Sequence, residues 1–218
     1  MHLFSFWRSQ ATFRVRIALR LKGLAAEITT LDLLKGDQFD AGYNALNPGH
    51  VVPTLIDGDG PPLVQSLAII EYLDEKYPQP PLLPKDIRDR AHVRAMAQMM
   101  AMDTHPLVVP RVRKYLTEEM HVDAPTLLAW QQHWLARGSQ AIEEVLARDP
   151  RTGRFCFGDS ITVADTCLVP HFTAVKMLGD KDLAAYPVAR RIYETCLALD
   201  AFALELPMRQ PDAPKQPA

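Results

Sequence analysis

The sequence predicts two structural classes in one chain, an α/β domain followed by an all-α domain. Three observations carry that expectation. Strand and helix patterns alternate over residues 1–77. A proline-rich stretch, residues 77–84, interrupts the alternation. Beyond it, apolar residues recur almost only at helical spacing. The expected domains are residues 1–79 and 86–218, with a linker between them.

Residues 2–6 form a short apolar run that reads as a strand. It hands over to a helix with Val15 and Leu19 at i and i+4 and Gly23 as the stop. Residues 25–31 read as a second strand, and residues 37–44 as a short, irregular helix. Asn47-Pro48-Gly49-His50 is loop by its Pro and Gly content. Residues 51–56 read as a strand opening at Pro53, residues 57–60 as a hairpin turn and Leu63-Val64 as the return. Ser66 then caps a helix through Tyr77, with Leu67, Ile70 and Leu73 on one face. The order is β-α-β, a linking helix, then β-β-α.

The second part opens with an expected long helix over residues 86–105. Its Val93, Met96, Ala97, Met99 and Met100 form a soft core stripe. Pro106 and Pro110 interrupt the chain beyond it. Asp123 caps the next helix, Pro125 falls in its first turn, and Trp130 and Trp134 stand one turn apart as core aromatics. Thr162 with Asp165 resembles a capping box with Asp replacing the usual Glu. Its helix runs to Met177. Residues 186–199 form another helix and residues 202–206 a short last one. The Pro-rich tail from Gln210 is expected to be loose.

The formal net charge of −2 supplies no electrostatic footprint for nucleic acid. No run of 18 apolar residues exists to span a membrane. Trp7-Arg8-Ser9 breaks the apolar core that a signal peptide needs, so a cytoplasmic protein is expected. Cys156, Cys167 and Cys196 match neither a disulfide framework nor metal-ligand spacing. They read as reduced and buried, and no metal site is expected.

Ser9 stands where the first strand becomes a helix. Helix N-termini offer unpaired N–H groups and a positive dipole end, which favour a thiolate held there. No cysteine precedes Cys156, so such a thiolate would be brought by a ligand. Taken alone, Ser9 reads as a plain helix cap just as well.

The motifs Arg8-Ser9, residues 14–19 (Arg-Val-Arg-Ile-Ala-Leu), Asn47-Pro48, Val52-Pro53-Thr54-Leu55 and residues 65–73 follow one another in this order. With Gly158-Asp159, Thr162-Val163-Ala164-Asp165 and Leu168-Val169-Pro170, the chain resembles the zeta class of cytosolic glutathione transferases over nearly its whole length. The resemblance implies a thioredoxin-like N-terminal domain that binds glutathione and a helical domain that binds substrate. It implies that Ser9 stabilises the glutathione thiolate. A cis Val52-Pro53 bond would present the Val52 backbone to the cysteinyl unit. Gln65 and Ser66 would take the γ-glutamyl end, and His50 the glycyl end. Asp103 and His105 are further candidate contacts.

The implied activity is a glutathione-dependent cis–trans isomerisation, with maleylacetoacetate as substrate and maleylpyruvate as the alternative. A general glutathione transferase or peroxidase is a third reading. Glutathione would act as cofactor, and the family implies a homodimer. Small dicarboxylate substrates require fixed cations, for which Arg8 and Arg111 are the candidates, with Lys176 third. Arg14, Arg16, Arg88, Arg90, Arg94 and Arg113 read as solvated or structural. Eukaryotic zeta enzymes read Ser-Ser-Cys where this chain has Ser9-Gln10-Ala11. A Cys-dependent step is therefore not expected, while isomerisation survives the change.

Overall fold

A computed structural model describes residues 1–215. The chain divides into two compact units. The first comprises Met1–Pro81 together with the segment from Asp200 onward, and the second is Leu82–Leu199.

In the first unit, β1 (His2–Ser5), α1 (Gln10–Leu21) and β2 (Glu27–Thr30) are followed by α2 (Ala41–Leu46), β3 (Thr54–Ile56), β4 (Leu63–Val64) and α3 (Ser66–Lys76). The sheet order is β2-β1-β3-β4, with β1 parallel to β2 and antiparallel to β3, and β3 antiparallel to β4. This is the expected thioredoxin-like arrangement. Leu3 of β1 pairs with Leu55 of β3, and both are fully buried.

Helix α1 is buried continuously from Thr12 to Leu19, so it is a core element rather than an amphipathic surface helix. Its C-terminus closes as the sequence requires. Gly23 adopts φ +64°, and the Leu24 N–H returns to Leu19 C=O at 2.9 Å. Arg14 and Arg16 are buried inside this helix at 1% and 3% exposure, so they are structural and not solvated.

Two boundaries differ from expectation. Residues 77–81 are tied down, because the Lys22 Nζ, buried beside them, donates to Asp74, to Tyr77 C=O and to Pro80 C=O at 2.7–2.9 Å. The C-terminal segment belongs with the first unit, whereas the sequence alone assigns it to the helical part. Glu205 accepts from Arg16 and Arg20 of α1, and Asp212 accepts from the Trp7 N–H. The tail is therefore bonded through Asp212, and residues 216–218 lie outside the described residues.

The second unit contains α4 (Ile87–Gln98), α5 (Pro110–Glu118), α6 (Ala124–Arg148), α7 (Val163–Met177) and α8 (Pro187–Leu197). The short α9 (Asp200–Ala203) opens the returning segment of the first unit. The single helix expected over residues 86–105 is instead α4, a π-helical stretch Met99–Thr104 and a 3-10 turn His105–Leu107. Pro106 is the physical reason. It lacks an N–H and its ring opposes the carbonyl of Met102, so regular α geometry cannot reach it. The His105 N–H bonds to Met100 C=O, the wide spacing of a π turn.

Val93, Met96, Ala97 and Met100 are buried as expected. Trp130 and Trp134 meet edge to face at 5.7 Å but are half-buried, not core, and the Trp130 indole N–H caps Leu107 C=O at 2.8 Å. The Thr162–Asp165 pairing is realised. The buried Asp165 carboxylate accepts from the Thr162 N–H, the Thr162 hydroxyl and the Cys156 N–H at 2.7–3.0 Å. No helix of the described residues is long and apolar enough to cross a membrane.

Candidate active site

Ser9 is the N-cap of α1, with extended backbone (φ −72°, ψ 115°). Its Oγ accepts from the Thr12 N–H at 3.2 Å. That bond uses a lone pair and leaves the hydroxyl hydrogen to donate elsewhere; among the described residues it has no acceptor. The cap and a thiolate donor are thus compatible roles of one hydroxyl. A turn precedes it, in which the Ser9 N–H bonds to Phe6 C=O at 2.9 Å.

An apolar cluster of Phe6, Tyr43 and Val52, with Trp7 packed against it, joins this turn to the β3 approach. The Val52-Pro53 bond is cis. The Val51 carbonyl accepts from the Tyr43 hydroxyl and from Asn47 Nδ2, and both donors also bond Thr54 Oγ1. These bonds clamp the peptide that carries Val52. The Val52 N–H and C=O themselves have no hydrogen-bond partner among the described residues. They form a short strand-like edge open to an added peptide.

His50 has φ +51° and sits against Phe39 with 5.0 Å between ring centres. Its Nδ1 lies 3.1 Å from Gln38 C=O. A carbonyl only accepts, so Nδ1 carries the proton and Nε2 is the nitrogen left for a ligand.

The entry to α3 corrects one expectation. Gln65, not Ser66, occupies the N-cap, with φ +70° and no side-chain cap bond. Such backbone costs about 1–3 kcal/mol for a residue with a side chain. It turns the chain sharply out of β4, leaving the Gln65 side chain exposed while Ser66 is only 7% exposed. Ser66 Oγ accepts from Arg14 Nη1 at 3.3 Å, so the hydroxyl is turned toward α1 instead of capping its own helix. The free N–H groups of the first turn of α3 remain an anion site.

Arg8 is half-buried in the turn before Ser9 and makes no hydrogen bond or ion pair among the described residues. Arg111, on the first turn of α5 in the second unit, is exposed and likewise unpaired among them. Asp103 is exposed in the π-helical stretch and His105 half-buried at its end. Lys176 lies over the Tyr193 ring at 5.5 Å, which already engages its charge.

Three residues shape the first unit's site in roles that the sequence does not assign: Tyr43 and Asn47, which clamp Val51, and Arg14, which holds Ser66. A charged residue inside the apolar run Phe13-Arg14-Val15 is the available signal for Arg14.

Comparisons with known proteins agree with this geometry. Residues 8–76 match the family model described as "Glutathione S-transferase, N-terminal domain". A maleylpyruvate isomerase from Ralstonia sp is 41% identical over 213 residues, 98% of this chain and 100% of that protein. A crystal structure of maleylacetoacetate isomerase from Methylobacterium extorquens AM1, with bound malonate and glutathione, superposes with TM-score 0.96 at 47% identity, covering 99% of this chain and 100% of that one. The holo structure of a maleylpyruvate isomerase described as a bacterial zeta-class glutathione transferase gives TM-score 0.94 at 41% identity over 98% of this chain and 100% of that one. Full-length identity of this order, on the same fold, establishes that the chain belongs to the zeta class of the glutathione S-transferase family.

Proposed function

We propose that the protein is a glutathione-dependent cis–trans isomerase of maleylacetoacetate. The observation that carries the reading is Ser9: an N-cap whose hydroxyl hydrogen is unused, in a segment that supplies no thiol of its own. The residues of the first unit fit glutathione. Val52 offers one unpaired N–H and one unpaired C=O, which suits a peptide in extended conformation. Gln65, Ser66 and the α3 N-terminus offer donors for a carboxylate. His50 Nε2, left open by the Nδ1 bond to Gln38, would take the glycyl end. Asp103 and His105 are assigned as further contacts from the helical unit.

When bound, glutathione would supply a thiolate for reversible addition to the alkene, so that it is not consumed. The chain's own part is electrostatic. Ser9 donates its hydroxyl hydrogen to the sulfur and holds it ionised. The α1 N-terminus adds its positive dipole end. Arg8 and Arg111 bind substrate carboxylate and stabilise the charge that develops on the oxygen conjugated to the alkene.

One solved relative holds malonate and glutathione, and another holds dicarboxyethyl glutathione and citrate in its active site, which supports a dicarboxylate substrate. Maleylpyruvate is the second reading, because similar proteins carry both names. A homodimer in the cytoplasm is part of the proposal; the three cysteines are buried and form no disulfide, in keeping with a reducing compartment.

The test is stoichiometric. With either maleyl-keto acid, many product molecules should form per glutathione while free thiol stays constant. Thiol lost mole for mole with substrate would place the chain among conjugating transferases instead. The ratio of the two turnover rates assigns the substrate.

A further inference from the structure

The backbone N–H of Trp7 donates to Asp212 Oδ2 at 2.8 Å, joining residues 205 positions apart. The local chain explains the need for it. The Ser9 N–H to Phe6 C=O bond closes a turn with Trp7 and Arg8 at its corners. In such a turn the amide of the first corner residue has no partner within the turn. A carboxylate brought from the C-terminal segment satisfies it with a charge-assisted bond.

The same segment is anchored again beside the turn. Glu205 bonds Arg16 and Arg20, and Arg16 Nη1 donates to Ser5 Oγ at the end of β1 at 3.0 Å. Gln210 Nε2 reaches back to Leu204 C=O and Leu206 C=O, each at 3.3 Å, and keeps the intervening loop closed. Burial pulls the Arg16 guanidinium down to about 10, while Glu205 and Asp212 oppose that loss. Asp212 thus faces both the Trp7 amide and the field of Arg16.

We propose that Asp212 is a positioning residue: through the Trp7 amide it fixes the turn that sets the place of Ser9 and Arg8. This rests on the reading of Ser9 as the donor to a bound thiolate. The Ser9 hydroxyl serves a thiolate only when distance and angle are both favourable, since hydrogen bonds weaken steeply with misalignment. A turn held only by its own Phe6–Ser9 bond leaves that geometry loose. A turn pinned at Trp7 as well holds Ser9 in the extended conformation that the cap requires.

Three readouts test this on the full chain. The first, without glutathione, is hydrogen exchange at the Trp7 and Ser9 amides, which should speed at least tenfold in Asp212→Ala. The second is the thiolate absorbance titration of bound glutathione, whose midpoint should rise by about one pH unit, a tenfold change in ionisation. The third is steady-state turnover, in which kcat should fall about tenfold while the KM for glutathione stays within twofold. Asp212→Asn keeps an acceptor oxygen and should recover most of all three. Gln210→Ala loosens the loop without touching Trp7 and should leave the titration unchanged.

Unchanged titration and kcat in Asp212→Ala overturn the proposal. So does an equal loss in Gln210→Ala, which would make the segment a general brace. Should Asp212→Ala fail to fold, Asp212→Ser, whose shorter side chain does not reach the Trp7 amide, is read by the same titration, and a midpoint equal to wild type overturns the proposal. If wild-type protein itself neither lowers the thiol midpoint nor turns over a maleyl-keto acid, the isomerase reading fails. If wild type does both and Asp212→Ala matches it, only the role of Asp212 fails.

Discussion

Arg14 Nη1 donates to Ser66 Oγ at 3.3 Å, so a guanidinium 1% exposed in α1 reaches the first residue of α3. With a lone pair of Ser66 engaged by Arg14, its hydroxyl hydrogen is left to donate in another direction. Ser9 uses the same logic with the Thr12 N–H as donor. Two serines, at the starts of two neighbouring helices, each accept from the protein and keep a hydroxyl hydrogen with no acceptor among the described residues.

That relationship predicts coupling. Arg14→Lys keeps a positive charge but loses the planar fork. It should weaken glutathione binding about tenfold, or about 1.4 kcal/mol, and Ser66→Ala should do the same. The double variant should lose little more than the larger single loss, because both act through one hydroxyl. Isothermal titration of the four proteins measures the cycle. Fully additive losses would show that Arg14 serves something other than Ser66.

Ser9 carries two roles that one substitution pair separates. Loss of an N-cap to Ala costs about 1 kcal/mol of stability, whereas Gly at the same place costs only a few tenths. Neither residue has a hydroxyl to donate. Ser9→Gly should therefore melt near the wild-type temperature while losing roughly 10- to 150-fold in turnover, the range for a hydrogen bond to a charged group. Ser9→Ala should show the same kinetic loss and a lower melting point. Retained turnover in Ser9→Gly would reduce Ser9 to a cap.

The legible parts of the fold and of the site are those set by neighbours in the chain. The Ser9 cap, the Asp-Gly-Asp-Gly hairpin, the Thr162–Asp165 box and the Gly23 stop each depend on a few consecutive residues, and each appears where the pattern places it. The features that escape the pattern are set by distant partners. Arg14 reads only as solvated or structural because periodicity shows which face a residue occupies and not what it meets across 52 positions. The tail looks loose because Pro and Gln carry no local structure, yet Glu205 and Asp212 bind α1 and the turn before it. Ser66 is misplaced by one position for a related reason. Its polarity suits an N-cap, but the pull of Arg14 inward and the positive φ of Gln65 put the cap one residue earlier.

Arg8 and Arg111 stand apart from Arg16 and Arg151 because no carboxylate or carbonyl of the described residues engages them. Arg16 is bound to Glu205, and Arg151 to Asp89 and Asp149. Arg8, next to Ser9 in the chain, and Arg111, on the first turn of α5, each keep a guanidinium suited to a substrate carboxylate. Substrate charge tests that role. A chloronitrobenzene has no carboxylate, so Arg8→Met and Arg111→Met should each impair a maleyl-keto acid far more than that neutral substrate. Truncating one partner of a desolvated charge pair costs about 2–5 kcal/mol, whereas losing an exposed charge costs at most about 1 kcal/mol. Steady-state kcat/KM on both substrates resolves that gap. Arg→Lys restores activity where the contact is a point charge and fails where it is a bidentate fork. Equal slowing of both substrates would show that the arginine acts on glutathione or on the fold, and would remove it from the substrate site.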